Sequence, residues 1–428
     1  MRAPLLLVIL TFLCSFQLFE KAKANHIAAV NITYVGLDDW SYIVTVRIYR
    51  DCREGQFVQP SIIIKCESTL GDTLFSQSIP IITGDFSGDN YTGNFIKLPC
   101  LGIDSCESPP GYAVEEFEYQ DTITLPALQD DWIVSYETLG NRNANDVIVD
   151  ATTKPIFVSA LINNLDAPGN SSPNLEKAPV AIFCVNRQFF FDQGAIEPDG
   201  DSLVYSLAQA QGDSGGFLAY NPPYDFQTPF DVSSPPLIMD PINGVISFTP
   251  IGPSITSVIC VLIEEYDTNG TLIGSVKNDM QVFINDSCVA DTLNFLGDTT
   301  MPTGNHPAIT VFCDTNKLFI HFDNPIQCET ISLDGSDFIL TVPIGGTLLI
   351  DSIGKPTCIG GLIDSIVLYL SETMRFNGSY YLYDTIGSDG TPILSECGLV
   401  LNDTLEVILN NCVKATVDLM NVTVVNNS

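Results

Sequence analysis

The chain has 428 residues, of which 51 are acidic and 17 basic, for a formal net charge of −34. A surface this negative makes nucleic acid and anionic lipid poor partners, since both carry the same sign of charge. A hydrophobic content of 45% rules out disorder throughout, and the length suits two to four cores at roughly 100–200 residues each. At the N-terminus, Arg2 precedes an apolar run at 5–13 that is too short to span a bilayer comfortably, and Ala22, Lys23 and Ala24 offer the small residues a signal peptidase needs. Residues 1–24 therefore read as a signal peptide, and no later stretch is long and apolar enough to be a transmembrane segment. Loss of Cys14 with that peptide leaves twelve of the 13 cysteines, an even number that favours disulfides over a metal cluster in an oxidising compartment.

The remaining chain is almost without helical periodicity and predicts an all-β protein of tandem immunoglobulin- or cadherin-like β-sandwich domains. In the first domain, 25–165, residues 42–49 alternate as a strand, and 62–64, 79–82, 122–125 and 132–136 repeat the signal between Gly, Pro and Asp. Residues 163–173 are turn formers with no apolar face, which predicts a linker over 166–178. The second domain, 179–285, is organised around 197–205, where Pro198 and Gly200 force a turn, acidic side chains crowd its apex, and Leu203 and Tyr205 alternate in the strand that leaves it. Asn243-Gly244 then signals a hairpin into 245–249, and the continuous apolar run 258–263 predicts a strand buried on both faces. A Cys184–Cys260 bridge is the expected staple, closing a loop of roughly 77 residues for about 4 kcal/mol in the chain-entropy model. The third domain, 286–412, carries candidate strands at 309–312, 318–322, 338–342, 347–350, 363–370, 380–383 and 405–409, with six cysteines whose fifteen pairings stay open. Residues 413–428 alternate again, as a lone strand or the start of a further domain.

Glu197, Asp199 and Asp201 place three hard oxygen ligands within five residues, the ligand type calcium prefers. The same residues also suit a turn that binds nothing, and a complete site needs Asp267, Glu265 or backbone carbonyls from another loop. Catalysis has little support. His26, His306 and His321 fall in no nucleophile, zinc or acid–base pattern, and Glu115, Glu116, Glu118, Asp121, Asp130 and Asp131 could form a glycosidase pair only as any acidic chain could. The long connection at 220–230 interleaves aromatics with prolines, a composition that presents rings to a glycan or peptide or packs them over a sandwich end.

His26-Ile27 with residues 31–34 and 42–52, then 108–110, Val114, Glu115 and Tyr119, resemble the start of large exported Bacteroidetes proteins that end in a gliding-motility-associated, type IX secretion domain. The resemblance continues through Cys184, 197–205, Cys260, 264–266 and 269–274, and into 333–338, 387–390 and Cys397, which are similar to bacterial Ig-like modules. It implies cadherin-like modules with calcium at their edges. The chain departs from the pattern at 138–143, which keeps Arg142-Asn143 but lacks the paired cysteines, so Cys52, Cys66, Cys100 and Cys106 are expected to pair among themselves. The expectation for function is a non-enzymatic, secreted or cell-surface protein for adhesion or gliding-related surface display, meeting an extracellular glycan or protein surface. The alternative is a fibre subunit that binds copies of itself through β-strand donation by the C-terminal segment.

Overall fold

The computed structural model describes residues 27–51, 59–70, 73–83, 92–96, 98, 100, 113–288, 292–298, 306–354, 357–358, 360–410 and 412. The expected signal peptide, the 413–428 strand, His26, Cys52 and Cys106 lie outside them. As the alternating pattern requires, the described chain is all-β. Eight strands make the first unit: β1 (Ile27–Gly36), β2 (Ser41–Asp51), β3 (Ser61–Ser68), β4 (Thr73–Pro80), β5 (Asn94–Ile96), β6 (Val114–Thr124), β7 (Trp132–Asn141) and β8 (Pro155–Ile162). They form two runs, β5-β6-β2-β1 and β4-β3-β7-β8, tied on one side by an Ile81–Tyr119 bridge. Alternation fills the space between them with Trp132, Tyr34, Tyr42, Tyr119 and Phe117, all essentially inaccessible to solvent.

The second unit contains β9 (Asn174–Leu175), β10 (Val180–Cys184), β11 (Phe189–Phe191), β12 (Ala195–Ile196), β13 (Ser202–Leu207), β14 (Ile238–Met239), β15 (Ile246–Phe248), β16 (Ile255–Tyr266) and β17 (Leu272–Asn285). The Asp267–Gly270 turn joins β16 to β17, with Gly270 at φ 82°, and the register runs from Ile255↔Ile284 to Tyr266↔Leu272. The other edge of β17 is divided. Residues 274–276 pair with β8, 278–280 with β1, and 281–285 run parallel to β10. One strand thus belongs to both units, and a single buried cluster extends from Ile27 to Ile284.

That sharing corrects the reading of 166–178 as a linker. Asn170, Ser171, Ser172 and Leu175 are buried. The Ser172 hydroxyl accepts Tyr34 N–H at 2.9 Å, Ser172 N–H donates to Tyr34 O at 2.9 Å, and the Ser171 hydroxyl accepts Gly36 N–H at 3.2 Å. Gly36 permits this approach, because a Cβ there would lie 2.0 Å from Gly169 O. The turn-forming composition was legible; its role in capping the end of β1 with short hydroxyl side chains was not.

The third unit has its own core. Its strands are β18 (Phe295–Leu296), β19 (Ala308–Val311), β20 (Lys317–Gln327), β21 (Phe338–Thr341), β22 (Thr347–Leu348), β23 (Ile350–Ile353), β24 (Leu362–Leu370), β25 (Gly378–Asp384) and β26 (Thr404–Leu409). One sheet is ordered β18-β20-β24-β23 and the other β19-β26-β25-β21-β22, with β19 parallel to β26. That is an immunoglobulin arrangement, A-B-E-D facing A′-G-F-C-C′.

The disulfides differ from expectation. Cys184 bonds Cys288, and Cys260 is a buried free thiol. The register explains why: Cys184 stands opposite Asn285 and Cys260 opposite Asp279, six residues along β17, or about 20 Å, far beyond disulfide reach. Cys66 is also free and buried, while Cys100 bonds Cys397 across 297 residues and fastens the first unit to the third. Cys313–Cys412 and Cys328–Cys358 close the third unit on itself.

A buried ion pair anchors β17. Arg142, from the motif at 138–143, donates through Nη1 to Asp279 Oδ1 at 2.7 Å and through Nη2 to Oδ2 at 2.6 Å, with both side chains almost wholly buried. Nη2 also donates to Gln211 O at 3.0 Å. Removing one partner leaves a buried charge uncompensated, so Asp279→Asn is expected to lower unfolding stability by about 3–5 kcal/mol, read from the urea midpoint. A loss below about 1 kcal/mol would mean the pair is solvated. Peptide mapping without reductant should recover Cys184–Cys288 and Cys100–Cys397 as linked peptides, with Cys66 and Cys260 alkylated only after denaturation.

Candidate cation site at the second unit

The Glu197 turn lies between β12 and β13. Its tightness comes from the glutamate itself: Oε1 accepts Asp199 N–H at 2.9 Å, and Oε2 accepts the N–H groups of Gly200 and of Asp201, the latter at 2.7 Å. Gly200, at φ 92°, supplies the left-handed backbone that lets three successive amides point inward. Beside this turn, β16 delivers Glu265, which is 0% exposed. Carboxylate oxygens of Glu197, Asp201 and Glu265 lie within 4.8 Å of one another, the only such group of three among the described residues.

Two of the three residues singled out in the sequence are therefore brought together. The third, Asp199, turns away to accept Ser171 N–H at 2.8 Å and so holds the segment that caps β1. Asp267 is likewise spent on its own hairpin, accepting from Asn269 and Thr271 N–H groups at 2.8 Å. Glu265 completes the set. Val261, Ile263 and Glu265 share one face of β16, so extending the apolar alternation by one step would have placed this carboxylate inward.

The surroundings leave Glu265 half satisfied. Asn170 Nδ2 donates to its Oε2 at 3.0 Å, whereas Oε1 is buried without a hydrogen-bond partner. Gly274 permits the packing, since a Cβ there would lie 2.5 Å from both Glu265 Oε2 and the Tyr34 hydroxyl. Burial pushes the Glu265 carboxyl up to about 8 against the opposing Asn170 hydrogen bond, with Glu197 and Asp201 adding to the rise. Asp201 is also raised, by burial first and then by Glu197, Asp199 and Asp267.

A hard divalent cation fits this donor set. Oxygens bound to one calcium ion at about 2.3–2.6 Å stand at most about 5 Å apart, and the orphaned Glu265 oxygen would gain a partner there. Three protein oxygens are fewer than the six to eight calcium takes, so water would fill the rest and the affinity would fall near that of extracellular modules, about 10⁻⁴–10⁻³ M.

The other candidates are accounted for structurally. Glu115 pairs with Arg50, Glu118 and Glu116 with Arg47, and Asp131 accepts from Ser68, Thr69 and Leu70. The aromatic loop faces inward: Tyr220 and Tyr224 pack on a small cluster with Val147 and Leu218, and Phe230 meets Phe248. His306 and His321 are exposed on the third unit, apart from this site.

No family model and no curated protein matches the chain. Among solved structures, an I-band fragment I67–I69 from titin aligns at 8% identity over 89% of this chain and 99% of that one, with a TM-score of 0.16. The N-terminal four Ig domains of Dscam1 isoform 6.44 align at 7% identity over 89% and 99%, with a TM-score of 0.14. Scores so low carry no argument; the immunoglobulin arrangement rests on the strand pairing. Fold and site together define an all-β, disulfide-bridged protein of immunoglobulin-like modules, and no described helix is long and apolar enough to cross a membrane.

The carboxylate cluster makes the metal-free protein sensitive to pH. Unfolded, Glu265 ionises near its ordinary 4.5; folded, it keeps its proton until about 8. The folded state binds more protons across that window, so stability is expected to fall as pH rises from about 5 to about 8, by up to about 1.4 kcal/mol per unit. Urea titrations in chelator should show this decline in the wild type and its loss in Glu265→Gln; a flat wild-type profile would contradict the assignment.

Proposed function

We propose that this is a non-enzymatic, secreted or cell-surface protein that holds and presents binding surfaces, serving adhesion or gliding-related surface display. The observation that carries the reading is the strand β17, whose pairing with β1, β8, β10 and β16 makes the first two units one body. The Cys100–Cys397 bridge extends the same cross-linking to the third unit. Rigid coupling suits display, where a surface must keep its orientation, more than a reaction, where loops must open and close. Disulfides on this scale belong to oxidising compartments, which supports export. The resemblance to Bacteroidetes exported proteins supports the finer statement, and calcium at Glu197, Asp201 and Glu265 would brace the turn that holds residues 170–172 against β1.

Calcium is expected to raise the melting temperature at pH 7.5, with a stabilisation of about 1.4 kcal/mol at tenfold excess over Kd, and to do nothing for Asp201→Asn. An unmoved wild-type melting temperature would remove the metal from the account. On a sizing column and in negative stain the purified protein should run as a monomer with calcium present; filaments that vanish on deletion of residues 414–428 would replace display with a fibre role.

A further inference from the structure

Where the second unit meets the third, a cavity of about 300 Å³ opens between them. Its walls include Phe183, Phe189, Phe190, Phe191 and Leu362, and Lys177 lines one side. The rings form a continuous set, with centroids of Phe183 and Phe189 5.0 Å apart and those of Phe183 and Phe191 5.3 Å apart. Lys177 is fixed over this set: its Nζ lies 4.2 Å from the Phe191 centroid and donates to Gly360 O at 3.2 Å. Gly194 and Gly360 crowd its stem, since a Cβ at Gly194 would lie 2.9 Å from Lys177 Cβ.

We propose that this cavity binds a small monocarboxylic acid with an apolar or aromatic body, the ring or chain seated among the phenylalanines and the carboxylate on Lys177. The volume sits at the lower end of small-ligand sites, and the walls are mainly apolar with three charged groups, of which Lys177 is the one cation and the one that would fix a carboxylate. An ammonium offers three donors, and Gly360 O takes one. Burial holds the Lys177 amine down to about 8, while Asp192 and Glu396 act in the opposite direction; a bound carboxylate would favour the charged form further. Glu176 and Glu396 also line the cavity, so a dianion such as a phosphate monoester would be repelled about twice as strongly as a single carboxylate, which Lys177 alone can balance. The reading is independent of the cation site and of the display role.

The test compares 4-phenylbutyrate with 4-phenylbutanol on the full chain, by calorimetry and by amide chemical shifts. In the wild type the acid should bind roughly tenfold tighter than the alcohol, and the shifts should concentrate at 189–191 and 360–362. Lys177→Met, which keeps the volume and removes the charge, should equalise the two while leaving the alcohol bound. Equal affinities for acid and alcohol in the wild type would overturn the proposal without recourse to any variant. So would the absence of saturable binding by either probe, or shifts confined to a different part of the chain.

Discussion

The fold depends on the burial of Asp279 against Arg142. Asp279 sits in the middle of β17, opposite Cys260, with β1 paired on its other side through Ala29, Val30 and Asn31. A carboxylate there is tolerable only because Arg142 meets both of its oxygens, and Arg142 is itself held where its N–H donates to Lys154 O and the next residue's N–H to Ile27 O. The pair therefore specifies which strand lies across the gap between β1 and β8. Apolar packing alone would accept several registers there, whereas an unpaired buried charge accepts none.

From that constraint the rest follows in layers. With β17 placed, β16 is placed by the hairpin, and Glu265 comes to rest beside the Glu197 turn. Asp199 and Ser172 then tie that turn back to β1, so the carboxylate cluster stands next to the first unit rather than at a free end. The Cys184–Cys288 bridge fixes the far end of β17, and closing a loop of this length contributes about 4–5 kcal/mol in the chain-entropy model. Each local feature restricts the same shared strand.

Much of this was legible in the chain. Strand alternation located β2, β19, β21, β24, β25 and β26 to within about two residues and found the starts of β3, β7 and β20 while missing their last four or five residues, because half-buried strands advertise their two faces. The hairpin at Asn243-Gly244 and the acidic turn at 197–201 were readable from turn chemistry. What could not be read was pairing between distant segments. Strand β8, PIFVSALI, has a single polar residue, Ser159, and so no alternation to mark it, and a stretch of turn formers reads as a linker until its two hydroxyls are seen serving another strand's backbone. Cysteine pairing failed for the same reason, since register along β17, invisible in sequence, separates Cys184 from Cys260. The cation site was half legible: Glu197 and Asp201 lie in one motif, but their partner arrives from a strand more than sixty residues later.

The most direct measurement is native-state hydrogen exchange resolved by residue. If β17 makes one cooperative body of the first two units, amides of Ala29, Ala160, Val261 and Met280 should exchange through a single opening with one free energy and one denaturant dependence. Exchange of β1 and β8 through a separate, less costly opening, with β13 and β16 still protected, would show two independent domains and contradict the account.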